Sequence, residues 1–178
     1  MGKSADTVTQ PYFCELPFAE QLILWSIRTW VRGYELRTSV DERLFEAFSR
    51  VRIPRASGLL DKMMRTIVMG HNRVVEIHSP CYRLVGNDER ILLNVIARYQ
   101  AGHQGKVWFP LCRFLRPNAA QCLDKLLDEI AGMLTAAGLT LVQSPSASGS
   151  SASATADDGF RSRLDATSLT QRLRTLIR

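Results

Sequence analysis

The sequence predicts an all-α protein, a compact bundle of five or six helices with at most one short β-strand. Apolar residues recur at helical spacing in successive segments, most of them bounded by capping residues or glycine, and only residues 73–78 are typical of a strand. The 178 residues are 46% hydrophobic and 22% charged, which is ordinary for a globular chain. A chain of this length predicts one domain.

A stretch rich in serine and alanine divides the chain. Residues 143–159 contain no large apolar side chain, which predicts a disordered linker. We therefore expect a helical core domain over residues 12–142, preceded by a flexible N-terminus over residues 1–11. Residues 160–178 are expected to form a separate basic, amphipathic tail.

The first predicted helix begins after Pro17 and ends at Gly33. Its apolar residues leave a polar stripe, which we expect to face water. Trp30 lies beside this stripe and is expected to be partly exposed. The stripe consists of Gln21, Arg28 and Arg32.

Two further helices are predicted before residue 71. Ser39 and Glu42 have the S-x-x-E spacing of a capping box, ahead of a second helix. Pro54 interrupts the pattern, Ser57 can cap a third helix, and Gly70 ends it. The apolar residues that share one face of the second helix are Val40, Leu44, Phe45, Phe48 and Val51.

After the strand predicted over residues 73–78, Asn87 can cap a fourth helix that ends before Gly102. Asp88 and Glu89 lie in its first turn, where the helix dipole favours acids. Capping and the dipole thus account for this acidic pair without a catalytic role.

The last part of the core predicts a short helix and a long one. The short helix tolerates Pro110 only in its first turn. Pro117 begins the long helix, whose apolar stripe ends at Gly138.

No cofactor is predicted. The segment from Gly102 to Lys106 has two residues between its glycines where a phosphate-binding loop needs four, and no dinucleotide, zinc-protease or calcium-loop motif is present. The N-terminal residues lack a signal-peptide core and no stretch is apolar enough to span a membrane. We therefore expect a cytoplasmic protein with reduced cysteines.

Three side chains are weak candidates for a metal site. His71, His78 and Cys81 are nitrogen and sulfur donors on the segment between two helices. A fourth ligand would have to be His103, Cys112 or Cys122, and the spacing is not that of a zinc finger. Cys112 and Cys122 have apolar neighbours, which is typical of buried cysteines. The interpretation that we prefer is therefore no metal.

Catalysis is also disfavoured. A cysteine nucleophile at Cys81 would require His78 within hydrogen-bonding distance, and nothing in the sequence imposes the turn that this needs. No catalytic residue is predicted, and a thiol- or metal-dependent enzyme is the least favoured function.

Residues 50–73 are strongly basic, with six cations and one acid, Asp61. The second and third helices resemble the order of a helix-turn-helix, which makes a DNA-binding transcriptional regulator the alternative function. Against it, a connection from Val51 to Gly58 is longer than the usual turn, and the third helix offers few cations. The six candidate DNA-binding residues are Arg50, Arg52, Arg55, Lys62, Arg65 and Arg73.

By elimination, the sequence favours a small non-catalytic helical protein that acts as a protein-interaction or regulatory module. Its partner is expected to be another protein or a second copy of itself, with DNA as the alternative.

The tail predicts a short docking helix. Ser168 and Gln171 have the spacing of a capping box, and three leucines form one apolar edge beside two arginines. A helix this short is marginal alone, so the edge is expected to dock on a partner, on an anionic membrane surface or on its own core. The docking residues are Leu169, Leu173, Leu176, Arg172 and Arg174.

Overall fold

The computed structural model describes residues 10–103 and 109–142, together with the backbone of residues 161–164. The described part of the chain is mostly helical, as predicted, with five α-helices and two short 3-10 helices. The α-helices are α1 (Phe18–Leu36), α2 (Asp41–Arg50), α3 (Arg55–Gly70), α4 (Asn87–Gln100) and α5 (Pro117–Ala136). The 3-10 helices are Phe13–Glu15 and Phe109–Arg113, and the strands are β1 (Val75–His78) and β2 (Arg161–Leu164).

The core lies where α3 and α5 pack together, with α1 and α4 completing it. Met63, Met64 and Ile67 of α3 are almost completely buried there. Gly70 permits a close approach of the two helices, because a Cβ at this position would lie 2.0 Å from the Cβ of Ala119. This contact explains why α3 ends in a glycine.

Helix α1 differs from the prediction in its length and in its polar stripe. It continues past Gly33 to Leu36, and Arg37 ends it with φ 53°. Gly33 is instead required by packing, since a Cβ there would lie 2.5 Å from Cγ1 of Val40. Arg28 is wholly buried, so its placement on a polar stripe that faces water is wrong. Trp30 is only 4% exposed, so the expectation that it is partly exposed is wrong as well.

The starts of α2 and α3 also differ from the prediction. Ser39 is not the N-cap of α2, since that position belongs to Val40. The Oγ of Ser39 donates to Oδ2 of Asp41 at 3.0 Å and accepts from the amide of Asp41 at 3.4 Å. Helix α3 begins at Arg55, directly after Pro54, whose φ of −57° suits a helix start. The connection between α2 and α3 is therefore only the four residues 51–54, shorter than predicted.

Strand β1 is part of a two-stranded antiparallel sheet with β2. The sequence predicts the first strand, although its first two residues, Arg73 and Val74, lie outside it. The second strand is a segment of the predicted tail, for which the sequence predicts no strand. The paired residues are Val75 with Leu164, Glu76 with Arg163, Ile77 with Ser162 and His78 with Arg161.

Helix α5 agrees with the prediction, and α4 agrees except at its start, where Gly86 is the N-cap and Asn87 is the first helical residue. Pro117 is the first residue of α5, and Gly102 and Gly138 follow α4 and α5 with φ 74° and 73°. Among the described residues, no helix combines the length and apolarity needed to cross a membrane. The linker at 143–159 and the proposed tail helix, with Leu169, Arg172, Leu173, Arg174 and Leu176, lie outside the described residues.

Candidate functional site

An apolar groove of about 390 Å³ lies between α2 and the start of α3. Phe45 lies on its α2 side and is 55% exposed, whereas Leu44 and Phe48 of the same helix are buried. Successive helical residues point about 100° apart, so burying Leu44 directs its neighbour Phe45 away from the core. The groove is lined by Phe45, Pro54, Arg55, Ser57, Gly58, Leu59 and Lys62.

The first turn of α3 keeps this groove open. Ser57 turns its hydroxyl back to donate to the carbonyl oxygen of Pro54 at 2.8 Å. Gly58 adds no side chain, and a Cβ placed there would meet no atom within 4 Å. Arg55 and Lys62, both exposed, place positive charge on the rim of an apolar surface.

Three of the six candidate DNA-binding cations are held in ion pairs within the chain. Arg50 pairs with Glu46 at 2.6 Å on an exposed surface. Arg65 pairs with Asp61 at 2.8 Å, and this hydrogen bond raises the pKa of Arg65.

Arg73 is the third paired cation. Its Nη2 lies 2.6 Å from Oδ1 of Asp88, and its Nε donates to the carbonyl oxygen of Arg113 at 3.0 Å. The hydrogen bond to Asp88 raises the pKa of Arg73 despite its partial burial. Arg73 therefore ties the segment before β1 to α4 and to the 3-10 helix before α5.

The other three cations, Arg52, Arg55 and Lys62, are exposed and form no ion pair with any residue that the structure describes. Two of them, Arg55 and Lys62, belong to the groove. The basic segment is thus divided into cations that pair within the chain and cations that have no ion-pair partner among the described residues.

A buried ionic network lies at the other side of the core, where α1 meets α4. Nε and Nη2 of Arg28 donate to Oε1 and Oε2 of Glu89, each at 2.8 Å. The same guanidinium donates to the carbonyl oxygens of Tyr82 and Leu84 at 2.8 and 2.7 Å. The ring of Phe13 also packs against it, with Cζ 5.4 Å from the ring centroid.

Glu89 accepts three further hydrogen bonds from β1 and the loop that follows it. The amide and Nδ1 of His78 donate at 2.9 and 3.2 Å, and the amide of Gly86 donates at 2.7 Å. Burial alone raises the pKa of Glu89, but the hydrogen bonds from His78 and Arg28 outweigh it and lower the pKa to about 2. The network is saturated by protein groups, and it fixes the loop between β1 and α4.

The candidate metal ligands are not brought together. Among the described residues, no group of three or more histidine, cysteine or acidic side chains is arranged to hold a metal ion. Nδ1 of His71 donates to the carbonyl oxygen of Val68 at 2.7 Å, and its buried Nε2 has no hydrogen-bond partner within the described residues. His78 is engaged by Glu89 and stacks on Tyr82 at 4.1 Å, while Cys81 is exposed.

The cysteines also differ in burial from the expectation. Cys122 is exposed and Cys112 only partly buried, so neither is the fully buried hydrophobe that its neighbours suggest. Cys122 is exposed because Ala120 and Leu123 are the residues of this turn of α5 that face the core, which leaves Cys122 on the outer side of the helix.

Sequence reasoning missed the groove and the buried network. The groove depends on how α2 and α3 are oriented, which the apolar spacing of each helix does not specify. For the network the only signal is that Arg28 lies in the mostly apolar residues 22–31 and that an acidic pair begins α4. No protein-family model matches the chain, and neither do curated proteins or solved structures.

Proposed function

We propose that this protein is a non-catalytic interaction module that binds an acidic, amphipathic segment of another protein in the groove between α2 and α3. The observation that carries the proposal is the apolar groove with Arg55 and Lys62 on its rim. Apolar side chains of a partner would fill the groove, and its carboxylates would lie against the two cations. Interfaces of this kind have an apolar centre and a polar rim.

The apolar lining favours a protein partner over a nucleic acid. Phosphate recognition depends on cations and amides, whereas Phe45 and Leu59 offer a phosphate nothing. Helix α3 also turns much of its length inward, since Met63, Met64 and Ile67 are buried in the core. These side chains are not available to contact base edges.

Charge also argues against the chain's own tail as the occupant. The tail leucines are accompanied by Arg172 and Arg174, which carry the same charge as Arg55 and Lys62. A partner with acidic residues beside its apolar ones complements the groove better.

DNA binding is the second candidate, and one observation supports it. The four-residue connection between α2 and α3 falls within the three or four residues typical of a helix-turn-helix. Arg52 lies in that connection and Arg55 directly follows it, so both are positioned where such motifs contact phosphates.

Charge reversal tests the proposal. We expect Arg55→Glu with Lys62→Glu to abolish co-purification of a specific protein from cells of the native host. The matched control is Arg116→Glu with Lys125→Glu, which changes the net charge by the same amount. Both residues are exposed; Lys125 lies in α5 and Arg116 directly precedes it. The control should retain the partner. Equal loss in both double variants would show that the groove has no special part and would contradict the proposal.

A second measurement separates the two candidates. Fluorescence anisotropy with a labelled mixed-sequence duplex should show no binding at about 0.15 M salt if the groove serves a protein. Salt-sensitive duplex binding that only the Arg55 and Lys62 reversal removes would favour the DNA alternative.

A further inference from the structure

The two edges of β1 are occupied in different ways. On one edge, the amides of Glu76 and His78 donate to the carboxylates of Asp88 and Glu89, each at 2.9 Å. These acids belong to the first turn of α4, so side chains replace a neighbouring strand on this side.

The other edge of β1 presents backbone groups that can pair with a second strand. Backbone groups of alternate residues in a strand point to opposite edges, so Val75 and Ile77 direct their amides and carbonyls away from α4. Unpaired backbone groups of this kind attract a further strand. Val75 and Ile77 are themselves buried, which holds the edge rigidly in place.

In the structure, residues 161–164 of the same chain occupy this edge. The register pairs Ile77 with Ser162 and Val75 with Leu164, so these are the residues that exchange backbone hydrogen bonds. It also places Arg163 opposite the exposed Glu76, a cross-strand position at which opposite charges are favourable.

The connection between this segment and the core is long. Residues 143–160, eighteen in number, separate it from Val142. At up to about 3.3–3.6 Å per residue, they can span roughly 60 Å when fully extended. Tethering through such a length raises the local concentration of the strand to about the millimolar range.

We propose that the outer edge of β1 is a strand-binding site and that residues 161–164 are its tethered, exchangeable ligand. Four residues supply few hydrogen bonds, so the tether holds the strand in place, and the same strand offered on another molecule can replace it. The ligand class is an extended peptide with arginine opposite Glu76 and an aliphatic residue opposite Val75. This site is separate from the groove of the proposed function.

Hydrogen exchange of the full-length protein tests the site amide by amide. Ser162→Pro removes the amide that faces Ile77, and Ser162→Ala is the matched control because it keeps that amide. We expect Ser162→Pro to speed exchange at Ile77 at least tenfold, with no change at Glu76 and His78, whose amides are held by α4. Ser162→Ala should exchange like the unaltered protein.

Adding the ligand in trans completes the test. A synthetic peptide of residues 159–166, added at about millimolar concentration to the Ser162→Pro protein, should restore slow exchange at Ile77. A scrambled peptide should not. Three results would each overturn the proposal. The first is unchanged exchange at Ile77 in Ser162→Pro, and the second is loss of protection at Glu76 and His78 together with Ile77. The third is failure of the peptide to restore slow exchange at Ile77.

Charge exchange offers an independent check on the register. Glu76→Arg should speed exchange at Ile77, and combining it with Arg163→Glu should restore the slow rate. No restoration in the double variant would contradict the register on which the ligand class depends.

Discussion

Arg28 and Glu89 form an ion pair in which both side chains are completely buried, with Nη2 of the arginine 2.8 Å from Oε2 of the glutamate. The pair joins α1 to α4 across 61 positions of sequence. Removing two ions from water is costly, and the pair is tolerated because backbone carbonyls and amides satisfy its remaining hydrogen-bonding groups. The consequence is that neither partner can be removed alone without a large loss of stability.

Glu89→Gln should therefore destabilise the fold by about 3–5 kcal/mol, because it leaves the Arg28 charge buried without a counter-ion. The matched control is Glu46→Gln, which breaks an exposed pair with Arg50 and should cost at most about 1 kcal/mol. Urea unfolding of both variants measures the difference. Similar small losses would contradict the buried pair.

Acid should remove part of this stability. The pKa of Glu89 is about 2 in the fold, against an ordinary 4.5, so its carboxylate stabilises the fold fully above about pH 4.5. This contribution, roughly 3 kcal/mol, should be lost as the pH falls from about 4.5 towards 2, because the unfolded chain takes up the proton first.

The measurement is the free energy of unfolding at pH 7 and near pH 3, for the unaltered protein and for Glu89→Gln. The difference between the two proteins should shrink at the lower pH. A difference that does not depend on pH would show that Glu89 does not carry the effect.

Two glycine substitutions should have opposite effects. Gly70→Ala places a methyl group 2.0 Å from the Cβ of Ala119 and should cost about 1–3 kcal/mol by forcing α3 and α5 apart. Gly132→Ala meets no atom within 4 Å on the exposed side of α5 and should stabilise the fold by about 0.5–1 kcal/mol. Thermal unfolding measures both, and a stabilised Gly70→Ala would contradict the packing of α3 on α5.

Neighbouring phenylalanines of α2 should also differ. Phe48 is 1% exposed, so Phe48→Ala should cost about 3–5 kcal/mol. Phe45 is 55% exposed in the groove, so Phe45→Ala should cost less than about 1 kcal/mol while weakening partner binding. A large loss of stability in Phe45→Ala would make it a core residue and not part of a binding surface.

The features that sequence reasoning predicted are local ones. Helix α5 is recognisable because Pro117 suits a first helical position and Gly138 can adopt a positive φ after the helix. The burial of Arg28 could not be predicted in this way, because its partner Glu89 is distant in sequence. Strand β2 could not be predicted either, since Arg161–Leu164 has little strand character of its own and is extended by pairing with β1.

In the candidate site, too, local features could be predicted from the sequence and tertiary contacts could not. The basic residues between 50 and 73 are evident in the sequence, but the ion pairs that occupy Arg50, Arg65 and Arg73 depend on tertiary structure and helix register. Only the fold distinguishes these from Arg55 and Lys62 beside the groove, which form no ion pair within the part of the chain that the structure describes.

Site-specific photo-crosslinking in cells of the native host tests the groove most directly. A benzoyl-phenylalanine at position 45 replaces an exposed aromatic residue in the groove, and the same residue at position 18 is the control, since Phe18 is 61% exposed on α1. Benzoyl-phenylalanine at position 45 should form an adduct with an acidic protein segment, and Arg55→Glu with Lys62→Glu should abolish this adduct. The same residue at position 18 should not form the adduct. Identical adducts at both positions, an adduct with DNA, or no adduct at position 45 would contradict binding of an acidic protein segment in this groove.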